Sequence, residues 1–507
     1  MNKLLKRNSI IILLLIILFI PTFYQMLRFG MFSTQDFHIF RLIEFDKCIQ
    51  SLQIPCRWAP DSGAGFGEPL FNFYGQFVYV AGEIIHKLTF SFIDSIKITF
   101  ILSLVLSGIG MFFLAKKIWG NNLSALVSSI IYLYAPYRAV DVWVRGALPE
   151  AFAFVFFPLI ILEIENYLEK NRTKDLLIFS LLFSFLIITH NLSVILFAPF
   201  LIVWIIFRFL QIRKIKPFIY LFIAGIFSGI LSAFYLLPVA TESKFINLNA
   251  TTTGIYDWRA NFVTIYQLFI SRFWGYGGST WGPNDGLSLS VGQIQWIVPA
   301  ITGVIILIKQ KTKFTKDNLV FTVLVLIGIF ALFMTHNKST FIWNILPFMK
   351  YIQFPWRFLS TATFSFALAS GLIIKQFEIV RLQFLSVIIV VVVTILLNFS
   401  FFKPDIWYSK GDSYYLTGSF WNEEQFSSLP DYWPNFGHKF PDKISDGKYI
   451  NYFPGWNYKP DKNGLISSEG AVFGNTSTRT IGNYTSLFAI LVWIILFVKF
   501  KYVSKDS

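Results

Sequence analysis

The chain has 507 residues and a formal net charge of +15, and it is 55% hydrophobic, 19% aromatic and only 14% charged. A soluble protein carries roughly 25% charged residues, and runs such as Ile11–Ile20 and Phe384–Phe399 approach the ~20 apolar residues that cross a bilayer as a helix. A soluble enzyme is thereby excluded, and so is a nucleic-acid partner, because the lysines and arginines sit at the ends of apolar runs in the positive-inside pattern.

In chain order, Met1–Ile20 is basic and then apolar, with no small-residue cleavage site after it, so it reads as a retained first helix. Further basic clusters lie at Lys116-Lys117, Arg208–Lys216, Lys309–Lys316, Lys375–Arg381 and Lys499–Lys505. Placing them all in the cytoplasm makes the runs near 95–115, 121–140, 148–165, 174–190, 191–208, 217–240, 291–308, 319–335, 358–375, 382–398 and 485–499 cross the membrane. With the first helix this predicts an all-α polytopic membrane protein of about 12 to 13 spans. Residues 71–88 contain Glu83, His86 and Lys87 and read as a juxtamembrane or partly inserted helix.

This orientation sends the unusual polar residues to the extracytoplasmic side, in loops 29–75 and 241–290 and at several span ends. Ionisable residues at membrane depth are costly and mark substrate or ion routes, so their convergence points to one outward-facing cavity. In the first loop, Ser33 and Asp36 fit a capping box that opens an amphipathic helix, with His38 and Arg41 one turn apart on it. There Asp36 is a candidate general base or metal ligand, and His38 and Arg41 are candidates to hold an anion.

Next in the loop comes Cys56–Gly75, whose glycines and prolines suit close backbone approach and whose Arg57 is a candidate phosphate contact; no Gly-Lys-Ser/Thr ends it, so it is not a Walker loop. Cys48 and Cys56, the only cysteines, both lie in this loop, and two cysteines alone leave a disulfide open. Val144–Glu150 puts Arg145 and Glu150 at a span entrance with Pro149 in the next first turn. His190 and Asn191 sit at a tight return between spans, and Arg357 lies in Phe354–Phe358. The loop Phe273–Gly292, rich in Gly and Trp, carries Asn284 and Asp285 and suits either a sugar or simple aromatic packing. The five histidines show no tight ligand spacing, so no structural zinc is expected. From 401 to 483 the apolar runs stop, and Lys448–Phe453, Gly464–Gly470 and Ser477–Gly482 sit between turn signals, predicting a small extracytoplasmic β-rich domain. The predicted units are thus 1–400, 401–483, and 484–507 as a last helix with a basic tail.

The segments Asp36–Asp46, Arg57–Gly75, Tyr132–Glu150, Thr189–Ser193, Trp274–Gly292, Gln353–Phe358 and Tyr452–Trp456 together resemble the bacterial and archaeal multi-pass membrane family labelled 6-pyruvoyl-tetrahydropterin synthase-related. Neither the ligand spacing of the soluble zinc-dependent pterin enzyme nor a soluble fold is present. More broadly the chain is similar to GT-C glycosyltransferases, and the Tyr452–Trp456 region resembles a domain of large bacterial membrane proteins implicated in glycosylating cell-wall polymers. The resemblance implies transfer of a sugar from a polyprenyl phosphate to a glycan, lipid or protein acceptor at the outer face of a bacterial or archaeal plasma membrane. Asp36 then matches the first-loop acid of those enzymes, with His38 two residues on where some of them carry a second acid. Arg41, Arg57 and Arg145 become expected phosphate contacts, and Glu150, His190, Asn191, Asn284, Asp285 and Arg357 cavity residues. A divalent cation stays open as cofactor, with Asp36 as its ligand. The rival expectations are a lipid or glycolipid transporter and a non-catalytic assembly factor for envelope glycans.

Overall fold

The computed structural model describes residues 2–33, 37–282, 284–309, 315–426, 432–436 and 439–503. The architecture is a helical bundle in which, among the described residues, eight helices are long and apolar enough to cross a membrane, or ten if each of two bent pairs is one span. Two further apolar helices, Thr173–Thr189 and Gln293–Lys309, have 17 residues each, and with them every apolar run named above is helical. Residues 71–88 form only a four-residue turn, Leu70–Phe73, and an 11-residue helix, Phe77–Lys87. At 1.5 Å per residue the latter reaches about 17 Å, well short of a ~30 Å hydrocarbon core.

The bends have local causes. In the pair Asn122–Leu133 and Pro136–Val144 the axes turn by 48°. Pro136 has no N–H to continue the first helix, and it holds Ala135 extended at φ −62°, ψ 135°. The pair Lys216–Leu231 and Ala233–Phe245 turns by 72°, at Ser232, whose hydroxyl lies 2.7 Å from that of Ser184 on a neighbouring helix.

Contacts between helix ends sort into two groups. Lys117 pairs with Glu169, Arg208 with Glu165 at 3.0 Å, and Lys375 with Asp317, while Lys309 donates to the Gln376 carbonyl. These are the ends that carry the basic clusters. The acidic and histidine-bearing turns gather at the other ends, around Gly146, Glu150 and His190.

The described residues between 403 and 476 include several that lie against the first loop. Met31–Phe32 pairs antiparallel with Trp407–Tyr408, and Tyr449–Asn451 with Leu465–Ser467, so two of the expected strand segments hold strands, each only three residues long. The expected segment Ser477–Gly482 is instead the first turn of the last helix, Ser477–Val503, because the Thr476 hydroxyl accepts the Arg479 N–H at 3.2 Å and caps it. The glycine-rich stretch of the first loop receives this segment. Ala64 donates to the Gln425 carbonyl, Ser445 to that of Ala64, and the Asn451 side chain to that of Gly67. Gly63, Gly65 and Gly67 all have φ between +61° and +78°, the left-handed region that glycine enters without strain.

Candidate functional site

The site grows from a break in the helix. After Ala139 the backbone winds into a π-turn, Val140–Val144, and stops at Gly146, whose φ of +60° is left-handed. Leu148 and Pro149 then start the helix Leu148–Lys170, proline being pre-set for a first turn. The tight turn folds Arg145 back between two acids: it pairs with Asp141 one turn before it, and its Nη2 lies 3.0 Å from Glu150 Oε2. Glu150, also in a helical first turn, accepts from the Tyr137 hydroxyl at 2.5 Å and lies 3.4 Å from Arg357 Nε.

Two acids and two guanidinium groups therefore form a neutral cluster. Asp141 is 0% exposed and Glu150 1%. Burying charge is costly unless each is paired, and the protein adds further support. The face of Trp356 lies 4.5 Å from the Arg145 guanidinium, and Arg357 also donates to the Ile352 carbonyl and Gln353 Oε1 at 3.0 and 3.1 Å. One lone pair is left over: Asp141 Oδ2 is buried with no hydrogen-bond partner.

The first loop is joined to this cluster through His38. Its Nε2 lies 2.6 Å from the Gly146 carbonyl and its Nδ1 2.9 Å from the Tyr79 hydroxyl. A carbonyl only accepts, so Nε2 carries the proton and Nδ1 accepts from Tyr79. Burial, reinforced by the Arg41 charge, pushes the His38 pKa down to about 3, which keeps the imidazole neutral. Arg41 lies within reach of Tyr79 and is half-buried between the rings of Phe37 and Tyr74, at 4.8 and 4.6 Å. Among the described residues it has no carboxylate partner. The helix bearing these residues, Phe37–Gln50, is enclosed on almost every side rather than amphipathic, with Glu44, Asp46 and His38 all buried. Its cover is the C-terminal segment, where Trp421 packs on Phe40 at 4.8 Å between ring centres. Asp36 itself lies outside the described residues.

His190 reaches the cluster from the return between Thr189 and Asn191. Burial lowers its pKa to about 3, opposed by the charge of Glu150 and aided by those of Arg357 and Arg145, and its Nδ1 lies 2.7 Å from the Ser193 hydroxyl. Gly75 permits this approach, since a Cβ there would collide with the Thr189 carbonyl. Asn191 is exposed at the start of its helix.

The remaining expected residues lie apart. Arg57 is 1% exposed, and it donates to the Asn72 side chain, the Phe234 carbonyl and Asn483 at 3.3, 2.7 and 2.9 Å. Asn72 in turn donates to Glu242 at 2.8 Å, and Glu242 pairs with Arg479 at 2.9 Å. That network ties the first loop to the last helix, and burial lowers the Arg57 pKa to about 9, with the Arg479 charge adding to the shift. Asp285 accepts from Gln267 and from the Leu287 backbone at 3.0 and 2.9 Å, bracing its own loop, while Asn284 is exposed. The loop meets the cluster through Ser279, which accepts from Trp356 Nε1 at 3.0 Å. Cys48 and Cys56 are joined as a disulfide. Among the described residues no group of three or more His, Cys, Asp or Glu could hold a metal ion.

Sequence reasoning passed over Asp141, Tyr137, Tyr79 and Trp356. Asp141 was open to detection as an acid inside the apolar run before Val144, four residues ahead of Arg145. The aromatic residues carry no such signal in a chain with 22 tyrosines and 15 tryptophans.

No curated protein matches the chain. Among solved structures, it is similar to the arabinofuranosyltransferase AftD from Mycobacteria, at 12% identity and a TM-score of 0.47 over 81% of this chain and 28% of that one. A mutant of the same enzyme matches at 12% identity and 0.48, over 82% of this chain and 29% of that one. The chain thus spans less than a third of the length of those structures. The family model for the 6-pyruvoyl-tetrahydropterin synthase related domain, a membrane protein, matches residues 71–402. That match takes in the bent helix, the ion cluster and the return at His190, and on it the chain belongs to this family of membrane proteins.

Proposed function

We propose that the protein is a GT-C-type glycosyltransferase that moves a sugar from a polyprenyl phosphate to a glycan, lipid or protein acceptor at the extracytoplasmic face. The observation that carries this reading is the state of Arg41. It sits five residues after Asp36, and it is the one expected phosphate contact of the three that is half-exposed, beside the Tyr79 hydroxyl and with no carboxylate partner among the described residues: Arg145 is paired with two acids and Arg57 is bonded into the fold. In the proposed step an acceptor hydroxyl attacks C1 of the donor sugar. Its proton passes to the Asp36 carboxylate, and the C1–oxygen bond breaks with its electron pair leaving on the phosphate, which Arg41 stabilises. His38, with both ring nitrogens occupied, positions this helix start against the Gly146 turn, and Arg145, Glu150, Arg357 and His190 hold the cavity wall. The expected extracytoplasmic unit 401–483 is narrowed to the stretch between the helix ending at Phe401 and the last helix from Ser477, and its described residues cover the first loop.

The test is turnover of a panel of polyprenyl-phosphate sugars by purified protein. At least one donor is expected to react, and Asp36→Ala or Arg41→Ala to slow it by about 10²-fold or more. A second reading is supported by the two bent helix pairs, since discontinuous helices line the substrate path of many transporters. Absence of transfer and of donor hydrolysis across the whole panel, with movement of a labelled glycolipid across proteoliposomes, would establish that reading instead.

A further inference from the structure

Apart from the ion cluster, a cavity of about 480 Å³ opens between the first loop and the C-terminal segment. That is within the ~300–1,000 Å³ of small-ligand sites. The first loop contributes Gln53, Arg57 and Trp58, and the facing wall is Trp456, Phe473 and Asn475. The three aromatic rings brace one another. Trp58 meets Trp456 edge-on at 5.2 Å and 85°, and Phe473 lies 5.2 Å from Trp58 and 4.9 Å from Trp456. Trp58 is buried behind them, leaving Trp456 and Phe473 partly exposed at the opening.

The charges around this cavity are already spent. Lys47, on its rim, is paired with both Glu44 and Asp61. The Nη1 and Nη2 groups of Arg57 donate to Asn72, Phe234 and Asn483. Arg57 has no carboxylate partner, but its guanidinium is enclosed, the residue being 1% exposed and its Nε buried without a described partner. A phosphate or carboxylate in the cavity would therefore find no exposed free cation among the described lining residues, and an organic cation would meet two positive side chains. What remains on offer is neutral. The Gln53 amide oxygen accepts the Arg57 and Trp58 backbone N–H groups, each at 2.9 Å, so its –NH2 is the group left to donate. Asn475 is exposed and supplies a donor and an acceptor. Rigid aromatic faces beside neutral amides match a molecule with an apolar C–H face and a rim of hydroxyls.

We infer that this cleft binds a neutral oligosaccharide, which is the acceptor chain in the transferase reading; only that last assignment rests on the transferase reading. The probes are neutral gluco-, manno-, galacto- and arabino-oligosaccharides, titrated calorimetrically against the full chain in lipid nanodiscs with no donor present. At least one series is expected to bind, with Trp456→Ala and Asn475→Ala each weakening it tenfold or more, and a phosphorylated form of the same sugar binding no tighter. Asn475 is exposed, so its variant keeps the fold even if Trp456→Ala does not, and unchanged thermal unfolding verifies that. Failure of every neutral series to bind, unchanged affinity in Asn475→Ala, or tighter binding of the phosphorylated sugar would overturn the inference. The two readings fail separately: absence of transfer and of donor hydrolysis across the whole donor panel removes the transferase reading and leaves binding intact, whereas transfer without measurable binding here removes only the cleft.

Discussion

Removing Glu150 tests whether the ion cluster is held together by charge balance. In the folded protein Asp141 and Glu150 face Arg145 and Arg357, all four 13% exposed or less at the side chain. Glu150→Met leaves two guanidinium groups against one carboxylate, and Arg357 then has no acid partner among the described residues. Uncompensating a buried charge this way costs about 3–5 kcal/mol, and loss of the 2.5 Å hydrogen bond from Tyr137 to a charged acceptor adds roughly 1.5–3 kcal/mol. Arg357→Met makes the opposite imbalance, leaving two acids with Arg145 alone. The double variant Glu150→Met/Arg357→Met restores one acid to one base in the surviving Asp141–Arg145 pair. It should therefore be more stable than either single variant, with a coupling of about 2 kcal/mol or more against additivity. Denaturant unfolding of the four proteins in one detergent, read by tryptophan fluorescence, gives the cycle. A double variant as unstable as the sum of the singles would refute the charge-balance account and leave shape as the reason for these residues.

Three further outcomes follow from the geometry. His38 titrates near 3 when folded and near its ordinary 6.5 when unfolded, so between those values the unfolded chain binds the extra proton. The His38 contribution to stability should fall by about 1.4 kcal/mol per unit as pH drops below 6.5 and stay level above it, beside a like contribution from His190, and His38→Gln should reduce the measured slope by one proton in unfolding at several pH values. Gly146→Ala forces a Cβ into φ +60° and should cost about 1–2 kcal/mol while loosening the His38 contact, detectable as faster hydrogen exchange at residues 144–148. Arg479→Met strands the buried Glu242 and should cost about 3–5 kcal/mol. Limited proteolysis should then cut residues 403–476 well before the helical bundle; equal resistance to wild type would contradict a clamping role for this network.

Much of the architecture was legible from order and composition. Uninterrupted apolar runs have one low-energy form in lipid, a helix that satisfies its own backbone, so the spans could be placed without knowing their neighbours. The charges at their ends announced which ends belong together, and Lys117 with Glu169 and Lys375 with Asp317 are found there. Local rules also placed Pro149 at a first turn and a helix after Asp36. Other decisions depended on partners far away in the chain. Arg41, Arg57 and Arg145 are the same residue type in similar polar loops, yet Arg57 is bonded to Asn483, Arg145 to Asp141 and Glu150, and Arg41 meets rings and the Tyr79 hydroxyl but no described carboxylate. Whether Ser477 begins a strand or a helix turned on a cap at Thr476, and whether Phe37–Gln50 is a surface or an enclosed helix, was settled by what packs against each. A sequence determines the free energy of a segment in its solvent. Which guanidinium keeps its hydrogens for a ligand is determined by the distances between segments, and those exist only once the chain has folded.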